Sequence, residues 1–185
     1  MPDAGWKQRR HKQGWTTADT PNVSNGQGYL LVSPLQLAVF AARVASGRAI
    51  MPSLPAGSTS AAPPLDFPPE HLAAVRSGMD EVVNGRLPFP DIRMGGKTGT
   101  AQVRRISGGA RGGLNVPWKY RDHGLFICFA PVDNPRYAAA VVIEHGMSGS
   151  GAAAPVARDL LTFLFDRPRA METLAALEKG WGGDY

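Results

Sequence analysis

Apolar residues along this chain recur at two different spacings, and the change of spacing divides it into segments. Residues 1–28 show neither period. They carry scattered tryptophans and charges and a Gly26-Gln27-Gly28 turn, and they read as irregular. Ser33 then stands as a helix N-cap with Pro34 at the first helical position. Leu37, Phe40, Ala41, Val44 and Ala45 follow at helical spacing as a core stripe, and Gly47 closes the helix. A loop rich in proline, serine and alanine runs from Pro52 to Pro69. From Pro68-Pro69-Glu70 a second helix buries Leu72, Val75, Met79, Val82 and Val83, and Asn84-Gly85 ends it.

Beyond that point the pattern changes. A strand is expected over Ile92–Arg105, followed by a Gly/Ser/Arg loop at 107–113. Leu125–Phe129 is apolar at every position, as in a strand covered on both faces. Asp133-Asn134-Pro135 supplies a turn, and Tyr137–Glu144 returns as the partner of an antiparallel hairpin. Pro155 opens a last helix with Ala157, Leu160, Leu161 and Leu164 facing inward. Residues 169–179 are at most a short amphipathic helix, and Gly180–Tyr185 is tail. Strands grouped together with helices outside them define an α+β fold, here an antiparallel sheet of about three strands packed with helices. No internal repeat is present.

Composition narrows the picture only a little. At 185 residues the chain is long enough for one domain with a core, and 22 glycines and 16 prolines imply extensive loops. The net charge of +5 is concentrated in Lys7, Arg9, Arg10 and Lys12 and in Arg104, Arg105, Arg111, Lys119 and Arg121. Neither cluster is interleaved with stacking aromatics, so nucleic acid is not an expected partner. The one cysteine, Cys128, lies in an apolar run and reads as a buried, inert thiol. No stretch approaches the ~18 apolar residues of a membrane span. The polar start Met1-Pro2-Asp3-Ala4-Gly5-Trp6 reads as no signal peptide. The histidines His11, His71, His123 and His145 lack metal-ligand spacing, and no cofactor is expected.

The chemistry gathers in Met94-Gly95-Gly96-Lys97-Thr98-Gly99-Thr100-Ala101-Gln102-Val103. Three glycines weaken a strand unless something must approach its backbone. A lysine, two threonines and bare peptide N–H groups on such a strand suit an anionic or carbonyl-bearing ligand lying against it. Gly95-Gly96-Lys97-Thr98 is not a phosphate loop: position 91, where that motif needs glycine, is Asp91, and Gly99 with strand-like residues replaces the helix that should follow. A Ser-His-Asp triad through Asp122 and His123 is also discounted, because neighbouring strand residues point to opposite faces.

Lys97-Thr98-Gly99 is one of three motifs of the serine penicillin-recognising enzymes. Its flanks carry the resemblance further. Gly26-Gln27-Gly28-Tyr29-Leu30 and Ser33-Pro34-Leu35-Gln36-Leu37-Ala38 lie upstream. Arg121-Asp122-His123-Gly124-Leu125-Phe126, Phe129-Ala130-Pro131, Asn134-Pro135-Arg136 and Val142-Ile143-Glu144-His145-Gly146 lie downstream. In that order they resemble the C-terminal part of the penicillin-binding protein 2 family, the elongation-type peptidoglycan D,D-transpeptidases, from about Trp6 to about Phe165.

The resemblance implies that residues 1–166 are the C-terminal part of a transpeptidase domain, with the C-terminal helix packed on its sheet and 167–185 as a tail. It implies that Lys97 sets a positive charge beside the reacting serine and the substrate carboxylate. The Thr98 and Thr100 hydroxyls would bind the terminal carboxylate of a D-Ala-D-Ala stem peptide or of a β-lactam. The Thr100 backbone N–H, reached across Gly99, would be one of two oxyanion donors, with Gln102 beside it on the substrate. It further implies cell-elongation proteins as partners and a place on the periplasmic face of the inner membrane, although the family's N-terminal anchor is not found in this chain. The nucleophile is also missing. Ala4, Arg9, Met94, Val116 and Ala176 stand three residues before the five lysines, so no Ser-x-x-Lys exists, and no Ser-x-Asn or Ser-x-Asp occurs. Thr20-Pro21-Asn22 has the spacing of the latter but reads as a turn. The chain is expected to be inactive alone, or else a non-catalytic remnant that binds a stem peptide or a protein partner. Asn25 stands where the family would have an apolar residue, and an amide buried there would need partners.

Overall fold

The computed structural model describes residues 1–54, 61–85, 93–103 and 116–181. These fall into two compact units, Met1–Ser33 and Pro34–Tyr185.

The first unit is more ordered than its lack of period suggests. It contains helix α1 (Ala4–His11) and helix α2 (Asp19–Ser24). Asp3 caps α1 by accepting from the Trp6 N–H at 2.6 Å, and Lys12 in the left-handed region ends it. With no apolar face of its own, this unit is held by a charge. Lys7 Nζ donates to Asp19 Oδ2 at 2.6 Å, and Asp19 also accepts the Thr16 N–H and hydroxyl. Lys7 is 3% exposed and Asp19 8%. The hydrogen bond to Asp19 raises the Lys7 pKa, while Lys7 and then the Thr16 N–H hold Asp19 down at about 2. Trp6 meets His11 and Tyr29 edge to face, and His11 and Tyr29 lie tilted against each other beside this pair. Asn25 is exposed, so its amide carries no burial cost.

In the second unit, helix α3 (Pro34–Ser46) ends as the glycine requires: Gly47 has φ +69° and donates to Arg43 O. Helix α4 (Pro69–Asn84) follows the loop. Strand β1 (Gly95–Ala101) is shorter than the expected Ile92–Arg105. Arg93 and Met94 precede it and Gln102 and Val103 follow it outside the strand, and positions 92, 104 and 105 lie outside the described residues, as does the 107–113 loop. Strands β2 (His123–Ala130) and β3 (Tyr137–Ile143) complete an antiparallel sheet in the order β1-β2-β3, with Gly95 opposite Phe129 and Gly99 opposite Leu125.

The all-apolar run of β2 is covered on both faces. Phe126, Cys128 and Ala130 pack with Met94, Val83 of α4 and with Ala153, Ala154, Ala157 and Leu161 at and within helix α5 (Ala154–Phe165). Phe129 packs on the other face with Val44 and Ala45 of α3 and Met79 of α4. Burial raises the Cys128 pKa to about 12, which leaves the thiol inert at neutral pH. The helix stripes are narrower than their spacing suggests, because each helix meets the sheet along one line of residues. Phe40, Val75, Leu160 and Leu164 are exposed, while Ala41, Val83, Ala157 and Leu161 carry the contact. Helix α6 (Arg167–Trp181) contains the short helix expected over 169–179, extends it at both ends and packs on α5, while positions 182–185 of the expected tail lie outside the described residues.

The β1 glycines make room mainly for the protein's own core. A Cβ at Gly95 would lie 2.6 Å from the Phe129 ring, and one at Gly96 would strike the Phe126 ring. Phe126→Ala should lower the unfolding free energy by about 3–5 kcal/mol. Gly96→Ala should cost about 1–3 kcal/mol by overpacking. Urea unfolding checks both, and a stability change below ~0.5 kcal/mol for either would refute this packing. The first unit has its own signature. Its Asp19 pKa is depressed from 3.8, so the stabilisation is complete above about pH 4 and drains as pH falls through about 2. Fluorescence of Trp6 and Trp15 should follow that loss in the wild type. In Asp19→Asn the acid transition should be absent and the unit already loosened at pH 7; identical titrations would contradict the ion pair's role.

Candidate functional site on the edge strand

Strand β1 is an edge of the three-stranded sheet, so one side of its backbone pairs with β2 and the other faces outward. Its start is anchored. Val132 N–H donates to Arg93 O at 3.0 Å, and Asn84 Nδ2 donates to Met94 O at 3.1 Å. The Arg93 guanidinium bridges Asp80 and Asp133, and it holds Asp80 below the ordinary carboxylate range with help from Asn84. Both neighbours of β1 are therefore tied to its entry point, one through α4 and one through the β2–β3 turn.

Alternation along the strand assigns faces. Gly95, Lys97 and Gly99 share the Phe129 face, while Gly96, Thr98 and Thr100 share the Phe126 face. Lys97 is exposed and its Nζ donates back to Thr98 O at 2.7 Å. In a strand the backbone groups of residues 98 and 100 point to the same side, so the Thr98 carbonyl that Lys97 reaches and the Thr100 N–H share a direction. Thr98, Gly99 and Thr100 are half-buried, and Gln102 is exposed just past the strand. The sequence-assigned residues thus lie consecutively along one open backbone, with a primary amine at its beginning. Such an edge can accept an extended peptide and place a cation and outward N–H groups against a carboxylate or a carbonyl oxygen. Gly95-Gly96-Lys97-Thr98 sits at the start of a strand, not at a helix N-terminus, which removes the phosphate-loop geometry.

The far end of β1 holds side chains whose part the sequence did not reveal. Asp122 Oδ1 accepts the Val103 N–H at 3.2 Å, and His123 Nδ1 accepts the His145 N–H at 2.9 Å. Asp122 and His123 therefore serve different backbone groups and make no triad. His145 Nδ1 lies 2.9 Å from Arg121 O, and the Trp118 ring lies tilted against the His145 imidazole with centroids 4.1 Å apart. The available signal was the glycine density of Gly146-Met147-Ser148-Gly149-Ser150-Gly151 just after a strand, which marks close backbone approach.

An α+β arrangement with a three-stranded antiparallel sheet is the one found in penicillin-binding transpeptidase domains. The penicillin-binding protein transpeptidase domain family matches residues 3–162, and the chain belongs to that family. It is 34% identical to the peptidoglycan D,D-transpeptidase MrdA of Haemophilus influenzae, over 90% of this chain and 29% of that protein. It is 35% identical to MrdA of Acinetobacter baumannii, over 88% of the chain and 26% of that protein. Among solved structures it is similar to penicillin-binding protein 2 of Helicobacter pylori in complex with MreC, with a TM-score of 0.73 and 28% identity over 90% of the chain and 31% of that structure. It is also similar to penicillin-binding protein 2 of Pseudomonas aeruginosa in complex with WCK 5153, with a TM-score of 0.68 and 31% identity over 88% of the chain and 37% of that structure. The chain spans less than a third of the length of these curated relatives. Among the described residues no helix is long and apolar enough to cross a membrane.

Proposed function

We propose that this chain supplies the Lys-Thr-Gly edge of a peptidoglycan D,D-transpeptidase site. The stem peptide lies along the open side of β1. Its terminal carboxylate meets Lys97 and the Thr98 and Thr100 hydroxyls, and Gln102 contacts the peptide beyond them. The reacting serine Oγ attacks the carbonyl carbon of the penultimate D-Ala, the carbonyl π electrons move to oxygen, and the Thr100 N–H stabilises the oxyanion. Collapse breaks the peptide C–N bond, the terminal D-Ala leaves as its amine with the proton given up by the serine, and the acyl-enzyme ester remains. An amine of a second stem peptide then attacks that ester, the C–Oγ bond breaks and the serine regains a proton. A β-lactam enters by the same carboxylate and acylates the same serine. The observation that carries this reading is an exposed edge strand with Lys97 at its start, in a chain whose family is the penicillin-binding transpeptidases.

The serine belongs to the Ser-x-x-Lys motif that this sequence does not contain, so the chain alone binds without reacting. A second reading is a non-catalytic module that holds a stem peptide or a protein partner on β1, and it rests on the open edge of that strand, which can pair with an extended chain. A stem-peptide substrate fits a site on the periplasmic face of the inner membrane. A protein of the elongation machinery is the partner expected, as MreC is for the Helicobacter pylori relative.

Incubated with penicillin, the chain should show no stoichiometric mass increase by intact-mass spectrometry; a covalent adduct would overturn the missing-nucleophile argument. Fused in place of the matching third of the Haemophilus influenzae relative, it should be acylated. Lys97→Ala in that fusion should slow acylation by about 100- to 1,000-fold, the loss expected when one charge-stabilising group is removed from such a site. An unchanged acylation rate would remove Lys97 from the site.

A further inference from the structure

The segment between β3 and α5 is not a simple connection. His145 and Met147 both occupy the left-handed region, at φ 56° and 62°, a conformation that non-glycine residues hold only when their surroundings enforce it. The enforcing contacts come from Arg121-Asp122-His123. The His145 N–H donates to His123 Nδ1, and His145 Nδ1 donates to Arg121 O. The Met147 N–H donates to Asp122 O at 2.8 Å. The Asp122 carboxylate meanwhile accepts the Val103 N–H beyond the end of β1, so one triplet fastens both the loop and the strand.

What the loop does with this rigidity is visible at its end. Gly149 opens a π-helical turn (Gly149–Ala153) and is buried against the sheet from the Phe126 face. A Cβ there would strike Leu125 O and lie 2.8 and 3.0 Å from Gly99 O and N. Gly99 and Leu125 are the paired residues at the centre of the Lys-Thr-Gly edge. Just before Gly149, Ser148 O closes on Gly124, where a Cβ would lie 2.6 Å from it, and Gly124 is the partner of Thr100. The loop backbone is thus pressed onto the two residue pairs that carry Gly99 and Thr100, with no side chain between.

We propose that Gly149 is a positioning residue for the Lys-Thr-Gly strand, and that His145 and His123 clamp the loop that carries it. Gly149 fixes the height of the Gly99 peptide above the sheet, and through it the direction of the Thr100 N–H. This deepens the proposed site and rests on that reading for the role of Thr100. The clamp works through the αL backbone and the imidazole bonds, so an αL-tolerant residue with a side-chain amide can replace His145, whereas alanine cannot.

The test is amide NMR with hydrogen exchange on the labelled chain. Gly149→Ala should shift the Gly99 and Thr100 amide signals and speed exchange of the Gly99 amide by on the order of tenfold or more. Gly151→Ala adds a methyl in the same turn that meets only Ser148, and it should change neither. If Gly149→Ala fails to fold, His145→Ala adds no bulk and should give the same local response, with His145→Asn restoring the wild-type signals. Unchanged Gly99 and Thr100 signals in His145→Ala, or a response in Asn as large as in Ala, would overturn the proposal. A stem-peptide analogue ending in D-Ala-D-Ala separates the two claims. Equal binding by wild type and both folded variants sinks the positioning role while leaving the site intact. No binding by wild type, with the Gly99 and Thr100 response still present, sinks the site reading and leaves the coupling.

Discussion

The packing of β1 depends on having almost nothing on its backbone. At Gly95 and Gly96 the space a side chain would take is filled by the rings of Phe129 and Phe126, one on each face of the sheet. Those rings join the two cores, one built on α5 and the other on α3, across the same short strand. A strand gripped from both faces and anchored at its entry by Val132 and Asn84 can leave its outer edge open without losing register. That open edge is what makes the chain a candidate to hold a peptide.

The proposed chemistry calls for stiffness at Thr100 more than at Lys97. Oxyanion stabilisation is effective only when its donors are already aimed, because reorientation during the reaction would consume the gain. Lys97 is long and exposed, and it is satisfied for the moment by the carbonyl of Thr98, a contact it can exchange for a carboxylate. Thr100, by contrast, belongs to the part of the strand pressed between β2 and the Gly149 turn.

Much of this was legible in the sequence, for identifiable reasons. The unbroken apolar run at Leu125–Phe129 could only be a strand covered on both faces, and Pro34 and Gly47 punctuated α3 correctly. Lys97-Thr98-Gly99 and its flanks were enough to place the family. What could not be read depends on contacts distant in sequence. Helices α1 and α2 have no apolar period, since a lysine–aspartate pair rather than an apolar face holds them, and no local pattern announces a partner twelve residues away. Phe40 and Leu160 fit their helical stripes but are exposed, because spacing defines a helix face and not what covers it. The glycines of β1 were read as space for a ligand, whereas Gly95 and Gly96 accommodate phenyl rings. His145 and Gly149 gave no catalytic signal, because their effect is on another strand's backbone.

The central claim is that β1 is a peptide-binding edge with Lys97, Thr98 and Thr100 as its contacts. Titrating the isotopically labelled chain with a peptide ending in D-Ala-D-Ala tests it most directly. Shifts should be confined to the amides of residues 97–102, with an affinity on the order of millimolar for a partial site, about 4 kcal/mol, and should be lost in Lys97→Ala. A folded chain whose 97–102 signals stay fixed at saturating peptide would contradict it.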